Sequence, residues 1–477
     1  MMFDPYPDGL PVGPEWVSTS DTVEIRFPFD GCVVAQAPVG TPELARRAVD
    51  EAAAVAREVA KLPSHVRRDV LTGVHRSLVE WRDELEGLLV VETGKPLVDC
   101  RVEVARTLVT WQAAAEEVAR LHGETVPLDL LPSGEGLTGF WVRKPIGVVV
   151  GIAGFNYPLL LASHKIAPAI AAGCPVIVKP APQTPLATLW LVHLVREAAA
   201  AAGAPLSMVQ LVTGDAGVGS ALVTDKRVGA VSFTGSAAVG HRIARDAAPR
   251  KTLLELGSNA ALVVAEDADL DAAADAVLRG GFYASGQACI SVQRLLVVDS
   301  VAVEFTRRLL ARLPEVVTGD PRDERTRVSA LIDERSTRRV LDWISASGAT
   351  VAAGGELVDG IIRPTVLTDV PDGADCWEEE IFGPVVCLRR VSDVDEAFDQ
   401  VNASRYGLHA SVFTTSLRTA MRAIDELEVG GVVVNEVPGF RSDTMPYGGV
   451  KDSGIGREGP RFAIDELTVT RMAVIRA

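Results

Sequence analysis

The chain has 477 residues, enough for about three domains and several buried cores. Hydrophobic residues make up 48% and charged residues 23%, the composition of a globular protein rather than of a long disordered chain. With 63 acidic against 47 basic residues, a net charge of −16 and no basic block, nucleic-acid binding is not expected.

The N-terminus, Met1-Met-Phe-Asp-Pro5, lacks the basic-then-apolar order of a signal peptide. Residues 1–40 are rich in Pro and Gly, with short β-type pieces. Residues 41–61 show Ala-rich helical spacing, with Thr41 placed as N-cap and Pro42 at the first helical position. A second helix is predicted over 64–93, stopped by Gly94-Lys95-Pro96, and a third over 98–121, stopped by His122-Gly123. Residues 124–131 and 137–143 flank the turn Pro132-Ser-Gly-Glu-Gly136 and read as a hairpin, either projecting to a partner subunit or a surface ornament.

From Pro145 strands and helices alternate: strand 147–153, helix 160–172, strand 175–179, helix 184–202, strand 208–212, helix 217–224, strand 228–233. A second alternation follows Lys251, with strands 252–256, 260–264, 294–298 and 385–389 and helices from Asp269, Val301 and Val394. Such alternation predicts an α/β fold built on parallel sheets with right-handed crossovers. The longest apolar stretches, 146–155 and 166–178, fall short of the ~20 residues of a membrane helix. No membrane association is expected.

A parallel sheet invites a search for a nucleotide loop. Gly217-Val-Gly219-Ser-Ala-Leu222 begins like a dinucleotide fingerprint but ends in Leu. Phe233-Thr-Gly235-Ser236 is the stronger candidate, because it follows a strand and opens a helix whose N-terminus favours an anion. Glu255 lies about 20 residues further on, where a ribose-binding acid is expected. It reads equally as a catalytic base.

The six cysteines, Cys32, Cys100, Cys174, Cys289, Cys376 and Cys387, have no C-x-x-C spacing. That argues against a disulfide framework and a zinc ribbon, so no metal is expected, and it points to a reducing, cytoplasmic setting. Cys289 stands out, since Gly286-Gln287-Ala288 leads into it in a turn-like setting suited to a reactive thiolate. Among the seven histidines His164 is the candidate partner, against the alternative of a satisfied core residue.

Eight short motifs together resemble the aldehyde dehydrogenase superfamily over nearly the whole chain. They are Glu92-Thr-Gly-Lys-Pro96, Phe155-Asn-Tyr-Pro158, Lys179-Pro-Ala-Pro-Gln-Thr-Pro185, Phe233-Thr-Gly-Ser236, Glu255-Leu-Gly-Ser258, Gly286-Gln-Ala-Cys289, Glu379-Glu-Ile-Phe-Gly-Pro384 and Pro446-Tyr-Gly-Gly-Val-Lys451. The resemblance implies a Rossmann-like cofactor domain over 1–121 and 146–252, and a catalytic domain over 253–434. It also implies an oligomerisation arm over 122–145 and 458–477, and a loop, 435–457, closing the substrate tunnel. Cys289 would attack the aldehyde carbon, with Asn156 and the Cys289 backbone N–H as oxyanion hole. Hydride would pass to a nicotinamide and leave a thioester, which Glu255 would hydrolyse by activating water. Lys179 and Pro182 would flank the adenosine ribose. Phe233, Gly235, Ser236 and Gly257 would line the dinucleotide, and Glu380 and Phe382 would hold its nicotinamide end. Lys165 and Arg294 read as scaffold.

Two departures matter. Pro182 stands where the family usually carries a ribose-binding acid, so a barrier to NADP is absent; NAD and NADP both stay open, tilted toward NADP. The surroundings of Glu255, Cys289 and Met445–Gly449 resemble branches acting on small polar or anionic aldehydes. Phe155, Tyr157, Leu161 and His164 are expected on one pocket wall, Ala288 and Ile290 beside the nucleophile, and Arg441 and Tyr447 at the mouth. Arg441 would pair with a substrate anion or lie solvated. The alternatives are a CoA-acylating enzyme and a non-catalytic binding protein on this fold. A homodimer or homotetramer is expected from edge pairing of the arm.

Overall fold

The computed structural model describes residues 5–476. Met1–Asp4 and Ala477, on which part of the leader reading falls, lie outside the described residues. Short strands lie between Leu10 and Val39, as expected, followed by helix α1 (Pro42–Val59). Thr41 caps it, its hydroxyl accepting from Leu44 N at 3.2 Å.

The single helix expected over 64–93 is two, α2 (Ser64–Glu80) and α3 (Arg82–Thr93). Trp81 breaks them at φ −97°, ψ 22°, its ring tilted against Trp190 at 5.7 Å. No Gly or Pro marks this break, so periodicity runs through it. Helix α4 spans Leu97–Glu117 and tightens into a 3-10 turn, Val118–Arg120. Helix α5 spans Pro158–Ala172.

The first sheet has six strands, in the order Gly454–Ile455, Lys251–Glu255, Val228–Thr234, Val148–Ile152, Val176–Lys179, Val209–Leu211. All pairings are parallel except that of Gly454–Ile455. The strand expected to open the second alternation therefore belongs to the first: Ala230 to Thr234 pair in register with Lys251 to Glu255. The boundary moves from Lys251 to beyond Glu255, because helix Ala237–Ala247 connects two neighbouring strands of one sheet.

The second sheet has seven strands, in the order Thr350–Ala353, Thr365–Thr368, Val385–Val391, Arg294–Val298, Ala261–Val264, His409–Phe413, Gly431–Val434. Its side chains divide with period two. Ala261 and Val263 join one buried cluster, Leu262 and Val264 another, so the sheet is covered on both faces. A third sheet pairs Thr468–Arg476 along the whole of Leu137–Pro145, with Thr125–Val126 on the other side. The first hairpin strand is thus shorter than expected, two residues rather than eight. Among the described residues no helix is long and apolar enough to cross a membrane.

Candidate active site

Parallel strands of the first sheet end side by side, and a ligand crevice opens beyond their carboxyl ends. These ends deliver Gly154–Tyr157, Lys179, Thr234–Ser236 and Glu255. A cavity of about 570 Å³ runs from there to Cys289.

Cys289 is presented by a strained turn. Ala284, Ser285 and Gly286 are all left-handed, at φ 49°, 57° and 74°, a conformation that persists only where its surroundings hold it. Asp99 accepts from Ala284 N (2.9 Å), the Ser285 hydroxyl accepts from Ser329 N (2.9 Å), and Gln287 Oε1 accepts from Ile332 N (3.0 Å). A Cβ at residue 286 would lie 2.0 Å from Gly383 O, so only glycine lets the nucleophile turn meet the Glu379–Pro384 loop. Burial pushes the Cys289 thiol up to about 12, against a hydrogen bond from Tyr447.

Asn156 is held from below by the first motif. Lys95 donates to Asn156 O at 2.8 Å and lies 3.8 Å over the Tyr157 ring. Lys95 pairs with buried Glu103, which accepts from Leu159 N and Leu160 N and so caps α5. Glu92 accepts from Leu186 N and Ala187 N at the start of the next long helix. The Glu92–Pro96 motif is thus a brace that aims Asn156. The Asn156 amide donates to Gln287 O at 2.8 Å, tying it to the nucleophile turn and leaving its second N–H.

Glu255 lies at the end of its strand, buried, with Oε2 accepting no hydrogen bond from the described residues. Burial and the neighbouring Glu458 carboxylate hold its carboxyl well above the usual range. That is the setting of a base poised to take a proton.

The cavity also collects Phe155, Tyr157, Leu161, Ala288, Ile290, Arg441 and Tyr447, and on the sheet side Gly235, Ser236, Gly257, Glu380 and Phe382. Lys179, Pro182, Phe233 and His164 do not line it. Lys179 is buried at its strand end, its amine pushed down to about 8 by burial; Pro182 lies exposed in the following turn; Phe233 is buried under Gly235. His164, expected on the pocket wall, instead faces Asp443 (3.3 Å) and Glu458 (3.1 Å) in a buried charge cluster.

Arg441 is neither solvated nor at the rim. Its side chain is 6% exposed and 3.3 Å from Glu458, and its Nε lies 3.6 Å from Asp443 without making a hydrogen bond to the described residues. Arg106 makes a bidentate pair with Asp443 (2.8 and 3.0 Å) and also lines the cavity. Sequence reading missed Arg106, Asp443 and Glu458. Arg106 sits mid-helix with no motif around it; Glu458 follows the last motif closely enough to have been found.

The sheet side fits a dinucleotide. Ser236 occupies the N-cap of helix Ala237–Ala247 without making a side-chain cap bond, so its hydroxyl and the helix N-terminus are available to a pyrophosphate. Glu380 accepts from Ser258 N at 3.0 Å, burial pushing its carboxyl up to about 7. A Cβ at Gly257 would meet Glu380 at 2.7 Å. Phe382 is left-handed and packs edge-on against Phe155 at 5.6 Å. The other glycine candidate is excluded: Gly217 and Gly219 lie inside helix Ala216–Thr224, whose Gly217 and Val218 N–H groups are taken by Asp215.

Comparison with known proteins agrees with this geometry. The model of the aldehyde dehydrogenase family matches residues 16–473. A 3-sulfolactaldehyde dehydrogenase of Priestia aryabhattai is 39% identical over 473 residues, covering 98% of each chain. A lactaldehyde dehydrogenase of Methanococcus aeolicus is 36% identical, covering 97% of this chain and 98% of its own. Among solved structures, aldehyde dehydrogenase 21 of Physcomitrella patens, in complex with the reaction product succinate, superposes with a TM-score of 0.95 at 36% identity over 98% of both chains. Glyceraldehyde-3-phosphate dehydrogenase GapN of Methanocaldococcus jannaschii, complexed with NADP, gives 0.92 at 33% identity, covering 96% of this chain and all of that one.

Proposed function

The chain belongs to the aldehyde dehydrogenase family, and from that premise we propose that it oxidises a small anionic aldehyde to its acid, through a Cys289 thioester hydrolysed by water. The observation that carries the substrate class is the set of guanidiniums in the cavity wall, Arg106, Arg279 and Arg441, with Arg106 paired to Asp443 and Arg441 to Glu458. The Arg441 Nε makes no hydrogen bond to the described residues, with Asp443 3.6 Å away, and offers a donor to a carboxylate or sulfonate.

Cys289 adds to the aldehyde carbon. The Asn156 amide and the Cys289 backbone N–H receive the developing oxyanion, one such donor being worth about 10²–10³ in kcat. Ser236, Gly257, Glu380 and Phe382 would hold NAD(P), which would supply the hydride acceptor when bound. Glu255 then takes a proton from water as that water attacks the thioester. The presence of this base argues against release by CoA, and the intact Cys289, Asn156 and Glu255 argue against a non-catalytic role. The exposed turn at Pro182 carries no carboxylate toward a ribose, which favours NADP over NAD. The cofactor domain takes in residues through Glu255 and the catalytic domain those that follow it to 434. Six unpaired thiols fit a cytoplasmic enzyme.

Arg441→Lys keeps the charge but loses the planar fork. The KM for a carboxylated or sulfonated aldehyde is expected to rise about tenfold, with little change for a neutral aldehyde of equal length. Equal effects on both would remove Arg441 from substrate recognition.

Assembly is a homo-oligomer built by sheet edges. The strand Thr468–Arg476 is an unpaired edge of the third sheet and exposes Val469, Met472, Val474 and Ile475. The edge strand Gly431–Val434 of the second sheet lies in contact with helix Leu417–Glu426, which exposes Leu417, Met421 and Ile424. Such edges are normally covered. Light scattering should give a multiple of 50.6 kDa, reduced by Val474→Lys; a monomeric wild type would contradict this assembly.

A further inference from the structure

Tyr447, expected at the cavity mouth, lines the cavity and also meets the nucleophile: its hydroxyl lies 3.3 Å from Cys289 Sγ. The residue is 3% exposed, and its position is fixed from three sides. Its backbone exchanges hydrogen bonds with Glu458 in both directions, at 3.1 and 2.7 Å. The His409 ring stands edge-on at 5.1 Å, itself held to Pro438 O at 2.8 Å. The Arg441 guanidinium lies 3.6 Å from the ring centroid.

Cys289 needs such a neighbour. The other ionisable groups around it are Glu255 and Glu380, which oppose a second negative charge, Arg441, which favours it, and the Tyr283 phenol. Among the described residues no lysine or histidine hydrogen-bonds the sulfur, so there is no imidazolium partner of the kind cysteine hydrolases use.

We propose that Tyr447 is a catalytic residue whose hydroxyl donates a hydrogen bond to the Cys289 thiolate, both before the sulfur adds to the aldehyde and when the thioester releases it. This rests on Cys289 being the nucleophile. A thiolate carries lone pairs and no proton, so the phenol must be the donor. The cation stacked on its ring draws electron density from the oxygen and strengthens that donor. The thiol proton leaves to water. A sulfur electron pair then forms the C–S bond while the carbonyl pair moves onto oxygen. The oxyanion pair re-forms the carbonyl as the carbon gives up its hydride to the nicotinamide acceptor that the proposed reaction employs; in the last step the water oxygen bonds to the same carbon and its proton passes to Glu255. The C–S bond breaks, its electron pair returns to sulfur, and the Tyr447 O–H again faces a thiolate.

Tyr447→Phe keeps the ring, its stack with Arg441 and its contact with His409, and deletes one oxygen. The full-length enzyme, without cofactor, is alkylated with iodoacetamide across a pH series, and the Cys289 peptide is quantified by mass spectrometry. The alkylation rate at neutral pH is expected to fall about tenfold or more, with the midpoint of the profile moved to higher pH and the alkaline plateau retained. Replacement of Tyr447 by 3-fluorotyrosine, a stronger donor of nearly the same shape, is expected to move the midpoint to lower pH. Superimposable profiles for Cys289 in wild type and variants would overturn the role of Tyr447 and leave the nucleophile standing. Labelling of Cys32 in place of Cys289 in the wild type would overturn the nucleophile assignment, and this inference with it.

Discussion

Replacing Cys289 by Ala is expected to abolish aldehyde oxidation, by about 10⁴-fold or more, while leaving the fold and cofactor binding intact. The structure makes this a clean test. The side chain is only partly buried, and the turn that carries it is held by Asp99, Ser285 and Gln287 rather than by the sulfur. The thiol's one hydrogen-bond partner among the described residues is Tyr447. The checks are cofactor reduction at 340 nm for turnover, and quenching of protein fluorescence by titrated NAD and NADP for binding. Turnover surviving in the Ala variant would move the chemistry away from Cys289.

Glu255→Gln is expected to separate the two halves of the reaction. The first half needs Cys289 and Asn156 and should persist as a burst of about one reduced cofactor per site. The second half needs a base, and its rate should drop about 10²–10⁴-fold, so that acyl-enzyme accumulates and is seen as added mass on the intact protein. The pH dependence has a definite sign. The wild-type carboxyl is held above its ordinary value of 4.5 by burial and by Glu458. Hydrolysis in wild type therefore rises as pH passes upward through that raised value, and in the Gln variant it is flat there.

Stability follows by linkage. A carboxyl whose folded value is raised contributes stability that is fully present below the unfolded value and is lost as pH climbs through the folded one. Gln removes that loss, so the variant should melt above wild type on the alkaline side and not in acid. A variant that hydrolyses normally, or shows no burst, would assign Glu255 to some other task.

The sequence carried the centre of the candidate site further than it carried the surroundings. Cys289, Asn156 and Glu255 sit in motifs whose small residues have a steric reason. A Cβ at residue 286 would lie 2.0 Å from a backbone oxygen and one at residue 257 would meet Glu380 at 2.7 Å, and such demands leave a fixed residue pattern behind. Spacing alone left Glu255 ambiguous and the family resemblance favoured the base; its strand pairs with Val228–Thr234 and ends at the cavity. The same pairing was invisible to periodicity, which reads strands but not partners, and the sheet boundary slipped accordingly. Arg106 escaped because its role depends on α4 facing a loop more than 300 residues away, where Asp443 receives it. His164 was placed on the correct side of the molecule but in the wrong contact. A helix position fixes a direction to within a face, whereas the choice between cavity and charge cluster was made by Asp443 and Glu458.

The most direct test of the central claim is the full stoichiometry of one reaction: a carboxylated or sulfonated short aldehyde with NAD or NADP, followed at 340 nm with the acid product quantified in ¹⁸O-labelled water. One acid per reduced cofactor, carrying at least one solvent oxygen, without CoA and with faster turnover than a neutral aldehyde of the same length, is the expected result. Reduction that requires CoA, product lacking solvent oxygen, or no reduction with any such aldehyde would contradict it.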